Sequence, residues 1–140
     1  MTRTVALAIA ALSMAALAAD KKTDEAKATE KAKAAITGWL KLADAGDGAK
    51  TWDSAGAVFK GAVTQADWSK ALSAARGPYG KLKSRELKSA TFATRLPGAP
   101  DGEYVVAQFD AKFEQQAGIE TVTASHEKDG AWKVVGYFIK

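Results

Sequence analysis

The sequence contains no cysteine, which excludes a disulfide framework, a thiolate nucleophile, a thiolate metal site and a lipoprotein-type acylated cysteine. Histidine occurs once, at His126. A metal site here would have to draw nearly all its ligands from carboxylates, and a serine hydrolase would have a single candidate base. The serines Ser54, Ser69, Ser73, Ser84, Ser89 and Ser125 also lack a G-x-S-x-G elbow, so that chemistry is not expected. His126 itself stands near a strand end before Glu127 and Asp129 and reads as a surface histidine. No phosphate loop is present: Gly46-Asp47-Gly48 and Gly98 to Gly102 lack the strand-to-helix context and read as turns. No cofactor is implied, and no metal.

Strong charge of either sign is missing too, with 20 basic against 16 acidic side chains and a formal net charge of +4. The lysines near the start of the chain are interleaved with Asp24, Glu25 and Glu30, a mixed solvated face and not a phosphate-tracking stripe. Nucleic acid is therefore not an expected partner.

Long hydrophobic runs are confined to the N-terminus. Arg3 precedes the apolar stretch Val5 to Leu12, Ser13 comes next, and Met14 to Ala19 ends in the small-residue pattern Ala16-Leu17-Ala18. This reads as a secretory signal peptide over residues 1–18, cut after Ala18 or one residue later. The stretch is short and alanine-rich for a membrane span, which takes about 20 apolar residues. The expected product, residues 19–140, is a single domain, periplasmic or secreted, with no stable membrane insertion after cleavage. Loss of Arg3 lowers its formal charge to +3.

Beyond the leader the pattern is first helical. Thr23-Asp24-Glu25 offers a capping hydroxyl and two carboxylates for a helix start. Ala32, Ile36, Trp39, Leu40 and Ala43 then recur at helical spacing, and Asp44 to Gly48 stops the helix. A second, shorter pattern carries Trp52, Ala55, Gly56 and Phe59. A third is capped by Thr64 with Asp67 three residues on, stapled by Val63 onto Trp68, and closed by Gly77-Pro78. Core packing is the expected role of the tryptophans.

After Gly80 the period changes to two. Val105, Ala107, Phe109, Ala111 and Phe113 make one core face, with Tyr104, Val106, Gln108, Asp110 and Lys112 on a wetter one. Turns at Pro97 to Gly102, at Gly118 and at Asp129-Gly130 divide this half into four strand-like runs. The first, about Lys81 to Thr94, mixes charged and apolar residues without a clear facing, as an edge strand or a bulged one would. The expected fold is α+β, N-terminal helices packed on a curved four-stranded antiparallel meander sheet, with cystatin-like and nuclear-transport-factor-like rolls as the nearest architectures.

One stretch is more specific than these patterns. Leu96-Pro97-Gly98-Ala99-Pro100-Asp101-Gly102-Glu103-Tyr104-Val105-Val106 is succeeded by Phe109, Phe113, Glu120-Thr121-Val122, then Asp129-Gly130, Trp132, Val134 and Gly136-Tyr137-Phe138-Ile139. Together with Trp52, Phe59, Val63-Thr64, Trp68, Arg76, Pro78, Gly80 and Arg85, these residues resemble a family of small exported bacterial proteins classified only as a domain of unknown function. The resemblance implies export and a compact α+β domain, but no reaction, cofactor or active-site residue. Tyr79 and the Gln115-Gln116-Ala117-Gly118 connection depart from that pattern.

Four residues are candidates for binding a ligand. Arg76 and Arg85 flank the helix-to-strand junction and offer planar forks for an anionic group. The alternative is that one of them pairs with Glu86, Glu103 or Glu120. Among Glu103, Asp110, Glu114 and Glu120 the plain expectation is exposure to water, with Glu120 singled out because its surroundings are otherwise apolar or hydroxylic. Tyr137 completes the set. The leading functional reading is a non-catalytic extracytoplasmic module that binds an unknown small ligand or an envelope protein. A small enzyme using Glu120, Asp110 or Tyr137 as acid or base is the alternative. An inhibitor of a secreted hydrolase is a third, weakened by the lack of a Gln-x-Val-x-Gly loop of the cystatin type.

Overall fold

The structure is a computed structural model that describes the backbone of residues 4–140 and the side chains of residues 17–140. Of the expected leader, residues 1–18, the structure describes the backbone from residue 4 and the side chains of residues 17 and 18 alone. Four helices precede the sheet among the described residues: α1 (Thr4–Asp44), α2 (Gly48–Asp53), α3 (Ala57–Ala62) and α4 (Gln65–Arg76). The strands are β1 (Leu82–Ala93), β2 (Tyr104–Phe113), β3 (Ala117–His126) and β4 (Trp132–Ile139). They form one antiparallel meander in the order β1-β2-β3-β4. The class is the α+β arrangement expected from the change of period.

Helix α1 does not start at Thr23. Neither glycine nor proline occurs between Thr4 and Thr37, and the alanines and lysines there are strong helix formers, so nothing interrupts the helix. Thr23 sits inside it with its hydroxyl donating to the Ala19 carbonyl at 3.0 Å, as a mid-helix threonine does. The buried stripe is the expected one: Ala32, Ile36, Trp39, Leu40 and Ala43 are all buried. Gly46, at φ +75°, turns the chain out of the helix, a conformation that a side chain would strain.

The expected second helix is two short ones. Gly56 lies between them because its N–H donates to the Val134 carbonyl at 2.8 Å, and a Cβ there would stand 2.6 Å from Val135 Cγ1. The strand comes so close that only glycine fits, and the helix breaks at the contact. Helix α4 begins as expected, with Thr64 Oγ1 accepting from the Asp67 amide at 3.2 Å.

One face of the sheet packs on the helices. Val105, Ala107, Phe109, Ala111 and Phe113 of β2 are buried with Val122 and Ala124 of β3 and with Trp132 and Val134 of β4. Tyr104, expected on the wetter face, is buried instead, because its hydroxyl reaches back to the Pro100 carbonyl at 2.5 Å and its ring folds over the preceding turn. Strand β1 is both an edge strand and irregular, with register shifts between Leu82 and Ser84 and between Leu87 and Ser89. That explains its unreadable facing, since each shift resets which residues point inward. Such irregularity also makes an edge a poor template for another strand.

The core is held by its tryptophans. Trp39 Nε1 donates to the Thr51 carbonyl and Trp68 Nε1 to the Thr51 hydroxyl, both at 2.9 Å, so each indole finds the partner that burial demands. Phe59 meets the Trp68 ring edge-on at 4.7 Å. Gly118 lies within β3 and not in a turn: Tyr79 comes so near that a Cβ there would meet its Cε1 at 2.8 Å. The two places that depart from the family pattern therefore touch each other, and the Gln115 amide also donates to the Tyr79 carbonyl at 2.9 Å.

Candidate functional site

Asp44 is the last residue of α1 and stands four positions beyond Leu40 on the buried stripe. A carboxylate at the C-terminal end of a helix faces the negative pole of the helix dipole, so it needs cations nearby. Two arrive. Arg76, the last residue of α4, donates from Nη2 to Asp44 Oδ1 at 2.9 Å. Arg85 of β1 grips the same carboxylate with two nitrogens, Nη1 to Oδ2 at 2.9 Å and Nη2 to Oδ1 at 2.8 Å.

Arg85 also reaches across the sheet. Its Nε donates to Glu120 Oε1 at 2.6 Å and its Nη2 to Oε2 at 3.2 Å, while the Tyr137 hydroxyl donates to Glu120 Oε2. Glu120 is 0% exposed, against the plain expectation for a strand carboxylate. Its neighbours explain this: Val122 and Gly118 share its inward face, so the side chain has no route to water and must be paired where it is. Asp110, by contrast, is 58% exposed and only loosely faces Lys88 at 3.9 Å, while Glu103 and Glu114 are also exposed.

All four candidates from the sequence, Arg76, Arg85, Glu120 and Tyr137, are thus brought together. The residue that sequence reasoning missed is Asp44, read only as part of a helix stop. The signal was available: Ile36, Leu40 and Asp44 succeed one another at four-residue intervals, which puts an acid on an apolar stripe. Two guanidinium groups balance two carboxylates, and each carboxylate oxygen accepts at least one hydrogen bond. One buried donor, Arg76 Nη1, has no partner, and its guanidinium lies over the Phe113 ring at 5.4 Å.

These contacts set the ionisation of the group. Burial alone would raise the Asp44 carboxyl, but hydrogen bonds from Arg85 and Arg76, with their charges, outweigh it and hold the group below the ordinary carboxylate value of 3.8. Burial raises the Tyr137 phenol well above its ordinary 10.0, and the Glu120 charge and hydrogen bond push it further. Burial opposes the Arg85 charge, yet hydrogen bonds to Asp44 and Glu120 and the charges of both keep it protonated even more firmly than usual. A depressed carboxyl contributes stability that is present above its unfolded value and lost as pH falls through the folded one. A raised phenol contributes stability that is present below its unfolded value and lost as pH rises through the folded one. The unfolding midpoint in urea is therefore expected to be flat across neutral pH and to fall below about pH 4 and above about pH 10. Replacing Tyr137 by phenylalanine should reduce the alkaline fall and leave the acid one. An alkaline limb identical in both proteins would contradict the assignment.

The surface carries two grooves that meet at His126. One, of about 700 Å³, runs between α1 and the end of β1; the other, of about 760 Å³, runs between α3 and the turns after β1 and β3. No group of three or more His, Asp or Glu side chains among the described residues is placed to hold a metal ion. No helix among them is long and apolar enough to cross a membrane.

No curated protein matches the chain. A family model described as a protein of unknown function, DUF4019, matches residues 35–137. That span includes Asp44, Arg76, Arg85, Glu120 and Tyr137.

Proposed function

Since the chain belongs to the DUF4019 family, whose description names no activity, we propose from its physical chemistry that it is an exported, non-catalytic binding module acting in the periplasm or outside the cell. One observation carries this reading. The acid that sequence patterning favours for chemistry, Glu120, is 0% exposed and is engaged by Arg85 and Tyr137, so a substrate has no path to it without breaking a buried ion pair. Tyr137, held protonated by the same contacts, is a poor general base. The cluster of Asp44, Arg76, Arg85, Glu120 and Tyr137 serves as a clamp that fastens α1 and α4 to the sheet, and recognition falls to the surface around it. A roll of this kind can present both its grooves and its uncovered sheet face to a partner.

Export is tested by fractionating cells and weighing the protein: a chain in the envelope or medium that lacks residues 1–18 is expected, and a full-length cytoplasmic chain would end the proposal. Binding is tested by calorimetric titration with peptidoglycan fragments, anionic phospholipid vesicles and purified envelope proteins. Saturable binding to one of them is expected. Turnover of ester, glycoside or peptide substrates that disappears in Glu120→Gln, Asp110→Asn or Tyr137→Phe, with the fold intact, would replace the module by an enzyme.

A further inference from the structure

The two edges of the sheet are unlike. Strand β1 is bulged at two places and carries Lys83, Glu86 and Lys88, devices that keep a sheet edge from pairing with another strand. Strand β4 lacks them over its second half. Its single register shift falls before Gly136, and Val134 to Ile139 reads Val-Val-Gly-Tyr-Phe-Ile, without charge or proline. A neutral run of high strand propensity left at an edge is a template for a further strand. Within it Phe138 is 58% exposed, on the sheet face turned away from the helices.

The ladder fixes which backbone groups face outward. Ile119 and Lys140 exchange both bonds, N–H to carbonyl at 2.9 and 3.1 Å. Hydrogen-bonded pairs alternate along an antiparallel ladder, so Phe138 and Gly136 bond to Thr121 and Thr123, which they face. The N–H and C=O groups of Tyr137 and Ile139 therefore point away from β3. Among the described residues no helix or loop backbone bonds to those four groups, and Gly56 closes the edge only at the Val134 carbonyl. A free row of donors and acceptors beside an exposed apolar side chain is what strand addition uses.

We infer that this edge is the interface with a second copy of the chain. The two β4 strands pair antiparallel about a two-fold axis at Phe138, so that Tyr137 of each copy exchanges both backbone bonds with Ile139 of the other. The exposed aromatic lies midway between the two outward residues, and one register therefore satisfies all four free groups and sets Phe138 against its own copy. That position is a non-hydrogen-bonded one, where facing side chains come closest and aromatic pairs are favourable. No charge between Val134 and Ile139 is brought against itself, and the Gly56 contact at Val134 lies outside the paired stretch. Because β1 is closed to pairing, the contact is isologous and growth stops at two copies, with the sheets continuous across the axis. The interface is small, so the dimer forms and parts with concentration.

The test is sedimentation equilibrium of the purified protein from about 10 µM to about 1 mM, a range that covers weak, small interfaces. The average mass is expected to rise from one chain toward two and no further. Phe138→Lys and Phe138→Glu each place like charges opposite one another across the axis, and each should stay at one chain. An equal mixture of the two should return to two chains, a recovery that variants unable to fold would not show. In a chain without cysteine, Phe138→Cys should cross-link to a second copy under mild oxidation, since non-hydrogen-bonded partners stand about 4.5 Å apart at Cα. Leu87→Cys on β1, at a side chain 39% exposed, should cross-link much more slowly. One-chain mass at every concentration, dimers that persist in both charge variants, no recovery on mixing, or equal cross-linking at Leu87 would each overturn the pairing. Assembly beyond two copies would overturn its closure. None of these results bears on what the grooves bind.

Discussion

Arg85→Met is expected to lower the unfolding free energy by about 3–5 kcal/mol, the loss typical of stripping one partner from a buried ion pair. Among the described residues Arg85 alone joins both carboxylates of the clamp. Without it Asp44 keeps Arg76, but Glu120, with no exposure to water, keeps only the Tyr137 hydroxyl as a hydrogen-bond partner, and a buried carboxylate stripped of its ion-pair partner is strongly destabilising. For a domain whose total stability is of order 5–15 kcal/mol, such a loss brings the folded state close to its limit. A second variant separates the cost of the orphaned charge from that of lost packing. Arg85→Met combined with Glu120→Leu removes both charges, and well-packed apolar replacements of buried pairs are often neutral, so the double variant should regain most of the stability. Urea unfolding with an unchanged slope is the measurement. A loss under about 1 kcal/mol in the single variant would mean that the clamp behaves as an exposed pair.

The second large effect is expected at Trp39, where replacement by alanine should cost about 3–5 kcal/mol. Trp39 is 3% exposed and sits where the helical layer meets the sheet. Its ring centroid is 6.2 Å from that of Trp68 and 5.3 Å from that of Tyr137, so its removal opens a cavity beside the clamp itself. Trp39→Phe gives a partition of the effect, since it keeps much of the ring and loses the donor to the Thr51 carbonyl. The phenylalanine variant should lose about 1–3 kcal/mol, the penalty of a buried acceptor left without a partner. The two variants read by denaturant titration distinguish cavity from hydrogen bond; equal losses would show that the bond carries the whole effect. Trp39 and Tyr137 share a contact, so the alanine variant and Tyr137→Phe should be non-additive.

Both predictions depend on contacts between residues far apart in the chain, and this is where reading the sequence reached its limit. Arg76, Arg85, Glu120 and Tyr137 were recognisable as candidates from residue type and position. Which of the proposed partners Arg85 would choose was not, because Glu86, Glu103 and Glu120 were equal candidates and the register of an irregular edge strand decides among them. Glu86 and Glu103 lost because both are exposed, while the shift between Leu82 and Ser84 turns Arg85 toward the helices. Asp44 went unnoticed because a turn signal, Asp-Ala-Gly-Asp-Gly, sits on top of the last position of a buried stripe. The helix expected from Thr23 began earlier, since capping residues start a helix only where something stops the preceding residues from continuing it.

By itself the sequence determined the local terms: the buried stripe of α1, the Thr64 cap, the alternation along β2, the glycine turn at Gly46 and hence the α+β class. These come from periodicity and backbone preference, which act over a few residues. Tertiary structure alone decided that Glu120 is enclosed, that Arg85 bridges two carboxylates, and that Gly56 divides a helix. Those outcomes depend on close approach between segments tens of residues apart, and the desolvation and pairing energies that govern them exist only once the layers are in contact.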